Sequence, residues 1–138
     1  MSETKINAAL VSAYLACNLY PLKGTSWEGD EFTPVVGSAY ARFTDLPSSR
    51  APAAQGQSAP QERTGILQID LYHPKGTGTG PILADADKAL TFFRSGKHLD
   101  YLGQDVLIRR SERSALRTEA AWQSMAIEVY YTAWVFPS

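Results

Sequence analysis

One stretch with a period of two, residues 63–74, constrains this chain more than any other. Leu67, Ile69 and Leu71 point to one side of an extended backbone, and the residues between them point to the other. A proline and a glycine-rich segment at 75–81 end the pattern sharply. Apolar residues at helical spacing begin directly afterwards. We therefore predict a central strand with a helix folded back over its apolar face.

The length and charge of the chain indicate one domain with no marked electrostatic preference. It has 138 residues, with 13 basic and 14 acidic side chains and a formal net charge of −1. A chain of this length buries enough surface to fold without a metal or a disulfide. Its single cysteine, Cys17, excludes an internal disulfide and a cysteine-built zinc site. We predict a single domain over residues 1–138 that stays in the cytoplasm where it is made, with no membrane span.

The apolar periodicity predicts an α+β fold with one mostly antiparallel sheet of four to five strands and two helices packed on one face. The helices are expected over about 3–18 and 82–94. The strands are expected at 40–46, 63–74, 99–101, 105–110 and 121–136. Apolar residues recur at helical spacing on the first helix, namely Ile6, Leu10, Ala13, Tyr14 and Cys17. Cys17 is therefore most simply a core residue.

Two segments between these elements lack a regular pattern. Residues 19–37 contain Trp27 and Phe32, which either cover the core or form an interaction surface. Residues 48–61 have no large apolar side chain, so their burial cannot offset the entropy of ordering. We expect a mobile loop at about 48–62 that is a candidate for ordering against a partner.

A glycine-rich turn precedes the second predicted helix, at a position where anions often bind. It contains Gly76, Gly78 and Gly80 and follows Lys75. A phosphate-binding loop needs Gly-Lys-Ser or Gly-Lys-Thr at the helix start, where this chain has Pro81, and the dinucleotide fingerprint is incomplete. We favour a plain strand-to-helix turn. A small nucleotide-binding or hydrolytic enzyme that uses this turn remains the alternative from a different functional class.

The two histidines, His73 and His98, do not form a recognisable catalytic or metal-binding pattern. Asp70 lies three positions before His73 and so on the opposite face of the same strand, which suits neither a metal pair nor a charge relay. We interpret both histidines as surface or loop-edge residues. No Gly-x-Ser-x-Gly elbow is present. We therefore predict no catalytic residue, no cofactor and no metal site.

Two further features concern surfaces rather than chemistry. The last predicted strand carries Tyr130 and Trp134 on the face opposite its apolar residues, so this face is either covered within the domain or used against another subunit. A basic cluster precedes it, formed by Arg109, Arg110, Arg113 and Arg117. In a single copy such a cluster is usually a solvated rim. Repeated around a ring, it would line a channel that faces DNA phosphates.

Several short motifs resemble the tail terminator-like, or tail completion, proteins of phages with long non-contractile tails. Residues 27–34 are similar to the family's W-x-x-x-x-F-x-P stretch, and residues 40–47 to its arginine-containing strand that ends in proline. Residues 65–70 are similar to its G-x-x-Q-(I/V)-D strand, which a glycine turn and an alanine-rich helix follow. Residues 106–110 are similar to its V-x-I-x-R strand. The resemblance spans nearly the whole chain.

This resemblance implies a structural virion protein with no enzyme activity and no cofactor. Such proteins form a ring, commonly a hexamer, that caps the head-proximal end of the tail tube, stops its polymerisation and presents a joining surface to the head. The implied partners are other copies of the chain, the major tail tube protein, the head-completion or connector protein, and genome DNA that passes through the channel without sequence recognition. No membrane partner is implied.

On this basis we expect five residues at subunit or tail-tube interfaces, namely Trp27, Phe32, Arg42, Tyr130 and Trp134. The four clustered arginines are the candidates for a channel-facing surface. A neck or head-completion protein of similar fold is the alternative within the same class, because fold alone does not separate these roles. The sequence leaves open the ring size, the soluble oligomeric state and which face meets the tube or the head.

Overall fold

The structure is a computed structural model that describes residues 2–52 and 61–135. Its elements, in chain order, are α1 (Ser2–Ala16), a 3-10 turn (Leu22–Gly24), β1 (Thr25–Ser26), β2 (Tyr40–Pro52), β3 (Gln61–Pro74), α2 (Gly80–Phe92), β4 (His98–Tyr101), β5 (Gln104–Arg113), β6 (Arg117–Glu119) and β7 (Trp122–Val135). Within the described residues, no helix is both long and apolar enough to cross a membrane.

The strands form one mixed sheet, so the prediction of four to five mostly antiparallel strands is wrong. The sheet has seven strands in the order β1-β2-β3-β7-β5-β4, with β6 paired to β7. β1 runs parallel to β2, and the remaining pairs are antiparallel. β1 and β6 escape sequence prediction because two or three residues are too few to show alternation. Tertiary pairing alone makes them strands.

β2 and β3 extend into the predicted loop. β2 continues through Pro47 to Pro52 and pairs with the first residues of β3, so residues 48–52 and 61–62 belong to strands rather than to a loop. Pro47 does not end β2, because the register shifts between Pro47 and Ser49 and a bulge tolerates a proline. Residues 53–60 of the predicted mobile loop lie outside the described residues.

Both helices pack on one face of the sheet and share a continuous apolar core with it. The fully buried residues recur at helical spacing in the helices and at every second position in the strands; they include Ile6, Leu10, Tyr14, Ile82, Ala86, Leu67, Ile69, Leu71, Ile127 and Val129. The predicted stripe on α1, including Cys17, is buried as expected. The other side of the sheet carries the even-numbered residues of β2, β3 and β7, and we call it the outer face.

A buried polar network joins α1 to the sheet at one end of the core. Arg63, which is 5% exposed, donates from Nε to Glu3 at 3.0 Å and from Nη1 to the Tyr131 hydroxyl. Tyr131 in turn donates to Asp45 Oδ1 at 2.6 Å. Burial alone lowers the pKa of Arg63, but the Tyr131 hydroxyl, Asp45 and Glu3 together raise it above its ordinary value. The buried cation is therefore fully paired, which is the condition for tolerating it in a core.

Gly65 makes room for this network. A Cβ atom at position 65 would lie 2.5 Å from the Tyr131 hydroxyl oxygen and 2.9 Å from Arg63 Nη1. Those distances are far inside van der Waals contact, so a larger residue would displace the Tyr131 ring from the β3 backbone. Gly65 lies in the middle of a strand, where glycine is otherwise unfavourable. Its presence there follows from the close approach of Tyr131.

We expect Gly65→Ala to lower the free energy of unfolding by about 1–3 kcal/mol, because the added methyl group pushes Tyr131 away from Asp45 and Arg63. Urea unfolding followed by tryptophan fluorescence measures the change. Gly80→Ala is the matched control, because nothing lies within 4 Å of a Cβ at that position. The control should unfold at the wild-type urea concentration or slightly above it. Equal midpoints for the two variants would contradict this explanation of Gly65.

Candidate functional site

An aromatic cluster lies on the outer face, near the ends of β2 and β3. Tyr40 and Tyr72 are directly opposite each other in the sheet and stack with 4.6 Å between ring centroids. Phe32 and Trp122 pack against Tyr40 at centroid distances of 5.0 and 5.1 Å. Burial raises the pKa of both tyrosines above the ordinary value. We call these four residues the outer aromatic cluster.

An exposed arginine borders the outer aromatic cluster. The guanidinium carbon of Arg42 lies 5.4 Å from the centroid of the Tyr72 ring, at cation–π distance. Arg42 also stands directly opposite Asp70 in the β2–β3 pairing. The cluster is therefore an apolar surface with a cationic edge, on a face of the sheet that the two described helices do not cover. Such a surface is typical of protein–protein contacts.

Trp27 and Phe32 lie on opposite faces of the sheet, although both occur in the same irregular segment. Trp27 packs on the core face against Tyr14 and Phe43, at centroid distances of 5.5 and 5.1 Å. Phe32 packs on the outer face against Tyr40. The segment between β1 and β2 therefore wraps around the sheet edge. The position of Trp27 agrees with the interpretation that it covers the core, whereas Phe32 lies on the outer face.

A β-bulge turns two consecutive arginines to the outer face. The β5–β7 register shifts between Ile108 and Arg110, so Arg109 and Arg110 both lie on that face. Arg109 Nε donates to the Thr132 hydroxyl at 3.0 Å, and the Arg110 guanidinium carbon lies 4.2 Å from the centroid of the Tyr130 ring. Together with β2 and β3 they enclose a cavity of about 330 Å³ that we call the basic notch. Its lining residues are Ser48, Thr64, Gly65, Ile66, Arg109, Arg110, Tyr130, Tyr131 and Thr132.

The other two arginines of the predicted basic cluster lie elsewhere. Arg113 stands opposite Ile127, whose side chain belongs to the core face. Arg117 lies in β6 opposite Ser124, roughly 20 Å along β7 from the notch at 3.3 Å per residue. The structure therefore does not bring the four arginines onto one surface. Alternation within β5 is the reason for Arg113, which is three positions after Arg110, and Arg117 belongs to a different strand.

Tyr130 and Trp134 lie on the outer face, as the alternation of the last strand predicts, and both are half-buried. Tyr130 is part of the basic notch. A hydrogen bond to Glu112 is the main reason why the pKa of Tyr130 lies above its ordinary value. Of the five predicted interface residues, Phe32, Arg42, Tyr130 and Trp134 are thus on one face, and Trp27 is not.

His73 is buried at 7% exposure, so the prediction of a surface histidine is wrong. Its Nε2 lies 2.7 Å from Asp85 Oδ2 on α2 and 3.1 Å from the Tyr20 hydroxyl. Tyr20 also donates to Asp85, at 2.6 Å. The alternation of β3 carried the missed signal, because position 73 continues the inward-facing series that includes Leu71. The partner on α2 was not visible from the strand alone.

This histidine cluster joins three parts of the fold. It ties β3, α2 and the segment after α1 together through three short hydrogen bonds. Burial, with the bond to Asp85, raises the pKa of Tyr20 above its ordinary value, and the hydroxyl donates to Asp85. In the described part of the chain, no three His, Cys, Asp or Glu side chains converge on a possible metal site.

The glycine turn is held by hydrogen bonds to the start of β7. The Lys75 amide donates to the Ala121 carbonyl at 2.9 Å, and Gln123 Nε2 donates to the Gly78 carbonyl. Pro81 lies in the first turn of α2 and has no amide hydrogen for an anion. These contacts favour the strand-to-helix turn over a phosphate cradle.

Cys17 is a buried core residue beside a cavity of about 560 Å³ at the ends of the two helices. Burial raises the pKa of its thiol above the ordinary value. A raised pKa lowers the fraction of reactive thiolate at neutral pH. The burial of Cys17 and the raised pKa of its thiol both agree with the prediction of a core cysteine.

Comparison with known proteins identifies a family. The sequence profile described as phage tail terminator protein matches residues 5–131. A search of the curated proteins finds no match. Among solved structures, one that carries only a serial designation superposes with a TM-score of 0.78 at 19% sequence identity. The superposition covers 100% of this chain and 99% of that chain. At this identity the structural likeness shows a shared fold.

We expect Tyr20→Phe to lower the free energy of unfolding by about 1 kcal/mol, because it removes the hydroxyl that bonds both Asp85 and His73. Thermal unfolding followed by circular dichroism measures the loss. Tyr101→Phe is the matched control at an exposed position, and its melting temperature should equal that of the wild type. A Tyr20→Phe variant as stable as this control would show that the cluster does not brace the fold.

Proposed function

The chain belongs to the phage tail terminator family, and from that premise we propose that it forms a closed ring of identical copies, a hexamer, at the head-proximal end of the phage tail tube. The ring caps the tube, stops its polymerisation and presents the joining surface for the head. Family membership itself makes the chain a structural component of the virion tail. The chain is made in the cytoplasm of the host bacterium.

The observation that carries this proposal is the extent of the family match. Residues 5–131 include nearly all of both helices and of the seven-stranded sheet. The match therefore concerns the whole fold rather than one motif. It favours a tail terminator over a neck or head-completion protein of similar fold. It also favours a structural role over a nucleotide-binding enzyme. The hydrogen bonds that the Lys75 amide and the Gly78 carbonyl make within the chain support that preference.

The outer aromatic cluster supports ring formation. Tyr40 is buried and the other three rings are half-buried, and together with the exposed Arg42 they form a mixed apolar and cationic surface. Aromatic residues and arginine are enriched at interface centres. Covering such a surface stabilises an interface by about 25 cal/mol per Å² of apolar area. We assign Phe32 and Arg42 to the contact between neighbouring copies. Trp27 is left out of this assignment, because its ring packs in the core.

In a closed ring a head-to-tail contact joins two unlike patches of each copy, and the outer aromatic cluster with Arg42 is one of these two patches. The remaining predicted interface residues, Tyr130 and Trp134, lie at the other end of the outer face from Phe32. We assign them to the contact with the major tail tube protein. The head-completion or connector protein meets the opposite side of the ring. Genome DNA passes through the channel without sequence recognition, and the role involves neither catalysis nor a cofactor.

We expect Arg42→Glu to weaken ring formation by at least about tenfold, because it replaces the cationic edge of the contact surface with a carboxylate that stands beside Asp70. Light scattering over a concentration series, with electron microscopy of the largest species, measures assembly with and without purified tail tubes. Lys23→Glu makes the same charge change at an exposed site and should assemble like the wild type. Equal assembly of the two variants would remove Arg42 from the interface.

Disruption of the gene in the phage should abolish infectivity and yield tails of uncontrolled length. The physical reason is that an uncapped tube end continues to add tube subunits. Electron microscopy of lysates gives the length distribution, and supply of the wild-type chain in trans should restore a single length. Tails of uniform length in the disrupted phage would overturn the terminator role. Uniform tails that fail to join heads would instead favour the neck alternative.

A further inference from the structure

Two backbone irregularities at the same level of the sheet build the basic notch. β2 has a bulge after Pro47, and β5 has one after Ile108. Across the sheet, Pro47 pairs with Gly65, Gly65 with Tyr131, and Tyr131 with Ile108. Both bulges therefore flank one row of residues, with a glycine between them. Bulges redirect side chains and interrupt the flat surface of a sheet, and here they leave a concave site.

The two arginines of the notch are held in place before any ligand arrives. Thr132 is 2% exposed, and its hydroxyl accepts from Arg109 Nε, which leaves the two terminal nitrogens of that guanidinium for another acceptor. The Arg110 guanidinium stacks on Tyr130. Within residues 2–52 and 61–135, no carboxylate forms an ion pair with either arginine at 4 Å or less. Both guanidinium groups are exposed, and the carboxylate nearest to Arg110, that of Glu112, bonds the Tyr130 hydroxyl rather than a guanidinium directly.

From this geometry we propose that the basic notch binds one carboxylate side chain, an aspartate or glutamate, of a protein segment that lies across the outer face of the sheet. Guanidinium groups match the planar fork of a carboxylate and form strong charge-assisted hydrogen bonds with it. One row of paired residues runs across four strands of the sheet, in the order Leu46, Ile66, Tyr130 and Arg110. Leu46 is 41% exposed, so an apolar neighbour of the bound acid finds an apolar contact beside the notch.

The charges next to the notch select a single carboxylate over a nucleic acid. Glu112 and Glu128 stand directly opposite each other, and Glu128 is also opposite Gln68. This acidic row lies two residues from the row of Arg110, a distance of about 7 Å. An extended polyanion such as DNA that crosses both rows meets repulsion at the second. A single carboxylate contacts the arginines without having to cross the acidic row.

The test is a nuclear magnetic resonance titration of the full chain with a defined probe, the peptide acetyl-Leu-Glu-Leu-amide. The matched probe, acetyl-Leu-Gln-Leu-amide, has the same shape without the charge. We expect the acidic peptide to shift the amide signals of Thr64, Ile66, Arg110 and Thr132 saturably, and to bind at least about tenfold more tightly than the neutral peptide. Equal binding of the two peptides, or no shifts at the notch, would overturn the proposal.

Variants separate the arrangement of the arginines from charge alone. We expect two variants to weaken binding of the acidic peptide by at least about fivefold each. Arg110→Gln loses a positive charge, and Arg109→Lys loses the guanidinium fork that Thr132 holds. Arg113→Gln removes one arginine from the opposite side of β5 and should bind like the wild type. Equal weakening in Arg110→Gln and Arg113→Gln, with Arg109→Lys binding like the wild type, would indicate a diffuse effect of net charge and would contradict a defined site.

A single-stranded oligothymidylate is the third probe. Saturable shifts at the notch with this oligonucleotide, at lower concentration than with the acidic peptide, would overturn the choice of a protein partner. The titration is done on the monomer, at a protein concentration below that at which light scattering detects oligomers. Its outcome therefore does not depend on ring formation. A chain that discriminates the peptides but never caps tubes would contradict only the terminator proposal. A chain that caps tubes without discriminating them would contradict only the notch.

Discussion

The close approach of Tyr131 to the backbone at Gly65 is the contact on which much of this structure depends. On the core side it places the Tyr131 hydroxyl between Asp45 and Arg63, so that a buried cation is paired and α1 is joined to the sheet through Glu3. On the outer side the same row lies between two bulges and forms the floor of the basic notch. One glycine therefore supports the packing of the core and the shape of a surface site.

The two faces of the sheet have different physical roles. The core face is sealed by both helices, and its buried residues are apolar apart from a few polar side chains such as Arg63 and His73 that have partners. The outer face keeps its aromatic rings partly covered by one another and by arginines, with Arg42 over Tyr72 and Arg110 over Tyr130. Such cationic cover limits exposed apolar area in a free chain and leaves polar groups for a partner.

Residues whose environment depends on their own element were predictable, and residues whose partners come from elsewhere were not. The stripe on α1 and the inward series of β3 and β7 followed from periodicity, and the same alternation correctly placed Tyr130 and Trp134 on the outer face. His73 was misjudged because Asp85 and Tyr20 reach it from α2 and from the segment after α1. The arginine cluster was overestimated because β5 extends to Arg113, and alternation within this strand places Arg113 on the opposite face from Arg110.

The sequence by itself determined the number of helices, the central strand, the face that each long element buries and the family to which the chain belongs. These follow from local periodicity and from short motifs, which are properties of residues close together in the chain. Only the tertiary structure decided the mixed seven-stranded sheet, the extension of β2 beyond Pro47 and the notch between two bulges. The physical reason is that strand pairing, register and bulges are set by hydrogen bonds and packing between distant segments, which periodicity within one segment does not encode.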